Sequence, residues 1–162
     1  MKKPKLWKRK DSVRDNLQGK LRKLAAEYFA AGRVALAPGT SWDEMHQFRL
    51  ATKRFRYTLE TFRDAYGPGL GARIEKLRGV QTFLGDINDL VVTASMVADN
   101  GDVVKALNGK AEAKTVKLRQ WWATVFDAQG EERRWCMYLT RYACRPPRAA
   151  GGNSRANGGV SQ

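Results

Sequence analysis

The sequence has few of the residues that build metal sites or disulfide frameworks. It contains two cysteines, Cys136 and Cys144, and a single histidine, His46, among 162 residues. A structural zinc ion takes a full set of Cys or His ligands, and small disulfide-bonded proteins need several cysteine pairs. We therefore expect no metal site, no disulfide scaffold and no cofactor.

Long apolar runs are also missing. No stretch approaches the roughly 18 apolar residues that a membrane-spanning helix needs. The basic start of the chain leads into Asp11 and Arg14, where a signal peptide would have an apolar core of about 7 to 15 residues. We therefore expect no membrane span, no export and a cytoplasmic location.

Acidic residues are scarce relative to basic ones. The 30 lysines and arginines stand against 16 aspartates and glutamates, which gives a formal net charge of +14. Such a charge attracts polyanions, so nucleic acid, an anionic membrane surface and polyphosphate are all possible partners. Because 43% of the residues are hydrophobic, the chain can bury a core, and we expect one globular domain.

The alternation of apolar and polar residues that predicts strands is absent, and apolar residues recur instead at steps of three and four. This pattern predicts an all-α protein, a bundle of about four to six helices. Ser41 and Glu44 have the spacing of a capping box, which predicts a helix start near Trp42. The predicted helices cover about residues 12–33, 42–66, 71–84, 86–97, 103–126 and 131–142.

Several of these boundaries depend on glycine and on short polar residues. Gly85 predicts the end of the third helix, and Asp86 or Asn88 would cap the fourth. Asn108-Gly109 predicts an interruption of the fifth helix.

The two ends of the chain differ in composition from the middle. Six of the first ten residues are Lys or Arg with no apolar period, which predicts a basic arm over residues 1–11. The end of the chain is rich in Pro, Gly, Ser and Asn, which predicts a disordered tail over residues 144–162. The helical domain is expected to span residues 12–143.

The second predicted helix carries the most informative pattern. At about 100° per residue, its polar residues fall on one face, whereas Phe48, Phe55 and Leu59 fall on the opposite, core-facing side. Glu60 also lies on the polar face, and Arg54 lies at its edge. We call this face the basic row, whose members are His46, Arg49, Lys53, Arg56 and Tyr57.

The basic row contains like charges at helical spacing. Arg49 and Lys53 are four residues apart, an arrangement that destabilises a helix by about 0.2 to 0.5 kcal/mol. A bound anion would relieve this repulsion, and arginine presents a planar fork suited to phosphate oxygens. The alternative is an ordinary solvated charged face. His46 is either bonded to a neighbouring carboxylate or carbonyl, or turned toward phosphate; we do not expect it to be catalytic.

The next predicted helix adds further candidates. Arg73, Lys76 and Val80 share a side of it, so only some of its cations can face one cleft. The short acidic segment that follows has too few oxygen ligands for a calcium loop, so capping is its expected role, although Asp89 could orient cations of the basic row. The polar candidates on this helix are Arg73, Lys76, Arg78 and Gln81.

Two stretches of the chain together carry a family resemblance. They are His46-x-x-Arg49-x-x-x-Lys53-Arg54-x-Arg56-Tyr57-x-x-Glu60 and Leu77-x-x-x-Gln81-x-x-Leu84-Gly85-x-x-Asn88-Asp89. This combined pattern resembles the signature of the CHAD family, the conserved histidine α-helical domain.

The resemblance implies an all-α protein that binds inorganic polyphosphate, often in association with polyphosphate granules. It implies that the basic row lines a phosphate-binding groove. Family members are usually longer and contain two related bundles that face each other, whereas this chain resembles the second bundle alone. A homodimer that pairs two basic rows would restore the shared cavity. By position, the candidate polyphosphate-binding residues are His46, Arg49, Lys53, Arg54, Arg56, Tyr57, Arg73, Lys76 and Gln81.

The charge and the motifs of the sequence favour three possible functions to different degrees. Non-catalytic binding of polyphosphate is favoured by the basic row and by the resemblance. A nucleic-acid-binding protein is the alternative, which the charge and the five tryptophans permit, although no known nucleic-acid-binding signature is present. A phosphate-transferring enzyme is not expected, because the sequence lacks a Gly-rich phosphate loop and clustered carboxylates for magnesium.

Overall fold

The computed structural model describes residues 13–142. The predicted basic arm over residues 1–11 and the predicted tail over residues 144–162 lie outside this range. Residues 13–142 form helices and connecting turns without a strand, which confirms the all-α prediction. The elements are α1 Val13–Ala35, α2 Trp42–Thr61, α3 Arg63–Tyr66, α4 Pro68–Met96, α5 Gly101–Trp121, a π-helical turn Trp122–Phe126 and α6 Glu131–Tyr142.

The start of α2 confirms the capping box. The Ser41 backbone N–H donates to Glu44 Oε2 at 2.9 Å, and the Glu44 backbone N–H donates to Ser41 Oγ at 3.3 Å. The bonds that Glu44 accepts from the backbone and hydroxyl of Ser41 lower its pKa. Ser41 thereby fixes where α2 begins and which of its residues face the core.

Three predicted boundaries are wrong. The separate helices over 71–84 and 86–97 are one continuous α4, and α5 runs through Asn108-Gly109 without interruption. The helix predicted over 42–66 ends at Thr61 and is followed by the short α3. In α4 the buried residues Leu77, Leu84 and Ile87 continue past Gly85, so their packing outweighs the cost of about 1 kcal/mol for a helical glycine.

The core is an aromatic cluster contributed by α1, α2, α6 and the π-helical turn. Trp122 and Phe126 stack with ring centroids 4.4 Å apart, and Phe126 lies 5.4 Å from Trp135 of α6. Gly32 of α1 makes room for this cluster, since a Cβ there would lie 2.3 Å from the Trp122 ring. α1 packs on α6 and α2, α2 packs on α4, and α4 packs on α5.

A buried hydrogen-bonded chain joins α1 to α2. Thr52 Oγ1 donates to the Phe48 carbonyl at 2.9 Å, and the Tyr28 hydroxyl lies 3.0 Å from Thr52 Oγ1. Because the Thr52 proton is used, Tyr28 donates to Thr52. Burial raises the pKa of Tyr28 well above its usual value.

Candidate functional site

The apolar stripe of α2 determines where its basic row lies. Met45, Phe48, Phe55 and Leu59 are buried in the core, so the basic row lies on the other side of α2, along the seam where α2 packs on α4. Most of its members are half-buried, whereas Tyr57 is 52% exposed. Partial burial strengthens the field of these cations, because nearby protein replaces water.

Arg49 and Lys53 have no acidic partner within residues 13–142. No carboxylate of that range lies within 4.0 Å of either side chain. The Nε atom of Arg49 is buried and has no hydrogen-bond partner among the described residues. A buried donor without an acceptor costs about 1 to 3 kcal/mol.

His46 is held by α4. Its Nδ1 atom lies 2.8 Å from Asn88 Oδ1, so the partner is a side-chain amide and not a carboxylate. This contact fixes the imidazole ring and leaves Nε2 available for a second partner. A cavity of about 320 Å³ lies next to it, lined by His46 and Asn88 together with apolar side chains such as Trp42, Leu84 and Val91.

Arg56 has two polar side-chain partners, in contrast to Arg49. Its Nε donates to Gln81 Oε1 at 2.8 Å, and its Nη1 donates to Glu60 Oε1. Its guanidinium carbon also lies 4.3 Å from the centroid of the Tyr57 ring. Glu60 accepts a second bond, from Arg78 Nη2 at 3.1 Å. Gln81 and Glu60 therefore hold Arg56 in a fixed orientation.

Lys76 and Arg73 do not join the basic row. Lys76 Nζ donates to Glu131 Oε2 of α6 at 2.8 Å, and Arg73 lies 3.8 Å from the centroid of the Tyr138 ring, also on α6. At about 100° per residue, Lys76 lies about 140° around α4 from Gln81. Both side chains connect α4 to α6, so their predicted place in one groove with α2 is not what the structure shows.

The pairing with Lys76 is reflected in the titration of Glu131. Burial acts to raise its pKa, but the hydrogen bonds from Lys76 and Arg134 outweigh this effect, and the pKa lies below its usual value. Lys76 therefore contributes to the packing of α6.

Two residues of the seam were not among the predicted site residues. Asn88 was expected to cap a helix, and Glu60 was placed on the polar face without a role. The spacing of the sequence could have identified both residues. Glu60 continues the series of steps of three and four residues along α2, and Asn88 lies seven residues, or two helical turns, after Gln81. The predicted site residue Arg54 is exposed.

The described part of the chain holds neither a metal-binding cluster nor a membrane-spanning helix. Among residues 13–142 no three His, Cys, Asp or Glu side chains are grouped so that they could hold a metal ion. In the same range no helix is long and apolar enough to cross a membrane.

The sequence was compared with those of known protein families. The CHAD domain family matches residues 2–98, which is more than half of the chain and includes both the basic row and Asn88. This family is linked in general to the binding of polyphosphate or triphosphate. Comparisons with curated proteins and with solved structures gave no significant match. The chain belongs to the CHAD domain family.

Proposed function

We propose that the chain binds inorganic polyphosphate along the basic row of α2, without making or breaking a bond. The observation that carries this proposal is the pair Arg49 and Lys53, two half-buried cations one helical turn apart with no carboxylate within 4.0 Å in the described range. A chain of phosphates satisfies both cations at once and removes their mutual repulsion.

Other described cations have partners or lie in water. Arg119, whose Nε is buried without a partner as in Arg49, donates from Nη2 to the Ala37 carbonyl at 2.8 Å. Arg33 is held by Asp127 and Glu132, and Lys114 is held by Asp86. Lys110 and Lys117 of α5 have no such partner in the described range, but both are exposed to water, which screens their charge. Arg49 and Lys53 combine partial burial with a missing partner, and this combination favours a bound polyanion.

The family adds independent support. The match covers the whole of α2, and the family is linked in general to polyphosphate or triphosphate. His46 and Gln81 lie along the same seam as Arg49. The Gln81 amide would donate to phosphate oxygens beside the charged contacts, and His46 would do so through Nε2 as an imidazolium, because its Nδ1 faces Asn88.

The test is a competition titration at about physiological salt. Labelled long-chain polyphosphate is bound to the protein and displaced by unlabelled polyphosphate or by single-stranded DNA of equal phosphate number. The Arg49→Ala, Lys53→Ala variant should bind polyphosphate about 10- to 100-fold more weakly, because each lost charge-assisted hydrogen bond is worth about 1.5 kcal/mol or more. The matched control is Lys110→Ala, Lys117→Ala, which removes the same charge from exposed positions on α5.

Each outcome has a definite meaning. A preference for polyphosphate that is lost in the Arg49 and Lys53 variant but kept in the α5 control supports the proposal. Equal displacement by DNA, with the same small loss in both variants, would contradict it and favour the nucleic-acid alternative, since general attraction by the charge of +14 would then suffice.

We propose in addition that two copies pair their basic rows on one polyphosphate chain, and that in the cell the protein associates with polyphosphate granules. Pairing would enclose the phosphates between two positive surfaces and raise the affinity through the number of contacts. Light scattering at micromolar protein should show a dimer when long-chain polyphosphate is added. A strictly monomeric mass under these conditions would contradict the pairing and leave the binding proposal untouched.

A further inference from the structure

Glu60 is an acidic side chain within a row of basic ones. It follows Lys53 and Arg56 on the same face of α2, and it accepts hydrogen bonds from Arg56 of α2 and Arg78 of α4. The side chain of Arg56 is 13% exposed and that of Glu60 is 28% exposed. The Glu60 carboxylate therefore forms ion pairs with arginines of two helices at the end of the basic row.

We infer that Glu60 is an internal anion that competes with polyphosphate for Arg56 and Arg78, and that it sets the chain length at which the whole basic row is engaged. This inference rests on the proposed function. Arg49 and Lys53 are open to a phosphate chain at once, whereas Arg56 and Arg78 become available when Glu60 is displaced.

The displacement is chemically simple. A guanidinium group donates to carboxylate and phosphate oxygens in the same planar geometry, so a phosphate can replace Glu60 on Arg56 without moving the arginine. Gln81 keeps its bond to Arg56 Nε at 2.8 Å and preserves its orientation. Because Glu60 is partly exposed, its carboxylate can turn toward water after it is displaced.

The spacing along α2 connects this competition to ligand length. At 1.5 Å per residue, Arg49 and Lys53 are separated by about 6 Å along the axis, and Arg49 and Glu60 by about 16 Å. Tripolyphosphate fits the first pair. A long chain reaches the position of Glu60 and gains contacts there. The net gain in binding free energy is the contribution of these contacts minus the free energy needed to displace the Glu60 carboxylate.

Two variants separate the competition from a general change in charge. Glu60→Gln and Glu75→Gln each remove one negative charge, and both residues contact Arg78. Of these two carboxylates, Glu60 also contacts Arg56. Glutamine has nearly the same shape as glutamate and still accepts hydrogen bonds, so the helices should keep their packing.

We expect Glu60→Gln to bind long-chain polyphosphate about tenfold more tightly than wild type, which corresponds to one recovered charge-assisted hydrogen bond. Glu75→Gln should gain about twofold or less, and so should Glu60→Gln with tripolyphosphate. Adding Arg56→Ala to Glu60→Gln should remove most of the gain, because Arg56 is the arginine that Glu60 contacts and Glu75 does not.

Two results would overturn the inference. Equal gains in Glu60→Gln and Glu75→Gln would mean that only net charge matters, and weaker binding in Glu60→Gln would mean that Glu60 orients Arg56 for the ligand. Either result is distinct from failure of the proposed function, which is judged by the Arg49 and Lys53 variant.

A measurement on the wild-type protein does not depend on the stability of any variant. In NMR spectra of arginine side chains, tripolyphosphate should shift the Nε–H signal of Arg49, and long-chain polyphosphate should shift the signals of both Arg49 and Arg56. If Arg56 does not respond to long chains while Arg49 does, the inference is wrong and polyphosphate binding stands.

Discussion

The hydroxyl of Tyr28 shows how a single buried polar group can fix the arrangement of two helices. It donates to Thr52 within an aromatic environment, and burial raises its pKa above the usual value of 10.0. The unfolded chain loses this proton near pH 10 and the folded chain keeps it. The folded state therefore binds more protons than the unfolded state above pH 10, and the free energy of unfolding falls as the pH rises.

We predict that Tyr28→Phe lowers the free energy of unfolding by about 1 kcal/mol at neutral pH, because one buried hydrogen bond is lost. Above about pH 10 the variant should lose stability less steeply than wild type, by up to about 1.4 kcal/mol per pH unit. Urea denaturation at about pH 7, 9 and 11 checks both effects. Parallel pH curves for the two proteins would show that Tyr28 does not titrate differently on folding.

Individual site residues were predictable to different degrees. Arg49 and Lys53 could be selected from the sequence because helical periodicity alone places them on one face, away from Phe48 and Phe55. The pairing of Lys76 with Glu131 depends on α6, whose position is set by the burial of Trp135 and not by any local pattern. The ion pairs of Glu60 likewise require the register of α2 against α4.

Two glycines of α1 give opposite predictions for the same substitution. A Cβ at Gly32 would lie 2.3 Å from the Trp122 ring, whereas a Cβ at Gly19 meets no atom within 4 Å. We expect Gly32→Ala to lower the free energy of unfolding by about 1 to 3 kcal/mol through overpacking. Gly19→Ala should raise it by about 0.4 to 1 kcal/mol, because alanine restricts the unfolded chain and favours the helix.

Thermal unfolding followed by circular dichroism measures both glycine variants. If Gly32→Ala were as stable as Gly19→Ala, the close approach of α1 to the π-helical turn would be wrong.

The continuity of α4 makes a further prediction at Gly85. Had Gly85 ended a helix in the left-handed conformation, alanine there would be strained. In the continuous α4 its Cβ would meet no atom within 4 Å, so Gly85→Ala should raise the melting temperature. A lower melting temperature would favour the two separate helices that the sequence predicted.

The helix boundaries show which signals in a sequence are reliable. Ser41 and Glu44 predicted the start of α2 correctly because both halves of the capping box are local contacts. The predicted helix end at Gly85 and the predicted interruption at Asn108-Gly109 were wrong. The preference of glycine for helix ends is weak compared with the stabilisation from burying neighbours such as Leu84, Ile87 and Ala111. Tertiary packing decides these positions.

The distribution of charge over the bundle predicts how binding depends on salt. Affinity for long-chain polyphosphate should fall steeply with salt concentration and rise with chain length, because contacts are added along the basic row. The salt dependence of the Arg49→Ala, Lys53→Ala variant should be shallower than that of the Lys110→Ala, Lys117→Ala control. Fluorescence anisotropy over about 50 to 300 mM salt provides the slopes, and identical slopes would argue against a localised site.

The general architecture followed from the sequence, whereas the way its helices meet did not. Periodicity was sufficient to predict the all-α class, whereas the polyanionic partner that the net charge favours stays a prediction. The contacts from Lys76 and Arg73 to α6 bring together residues far apart in the chain, and no local signal encodes them.

The position of the core relative to the family match has a practical consequence. The match ends at residue 98, yet Trp122, Phe126, Trp135 and Leu139 are buried against the helices that precede it. A fragment cut at the family boundary would lose these partners and present the apolar sides of α1, α2 and α4 to water. The part of the chain that the family match covers is thus smaller than the part that shares this core, because residues 99–142 supply core side chains that the match leaves out.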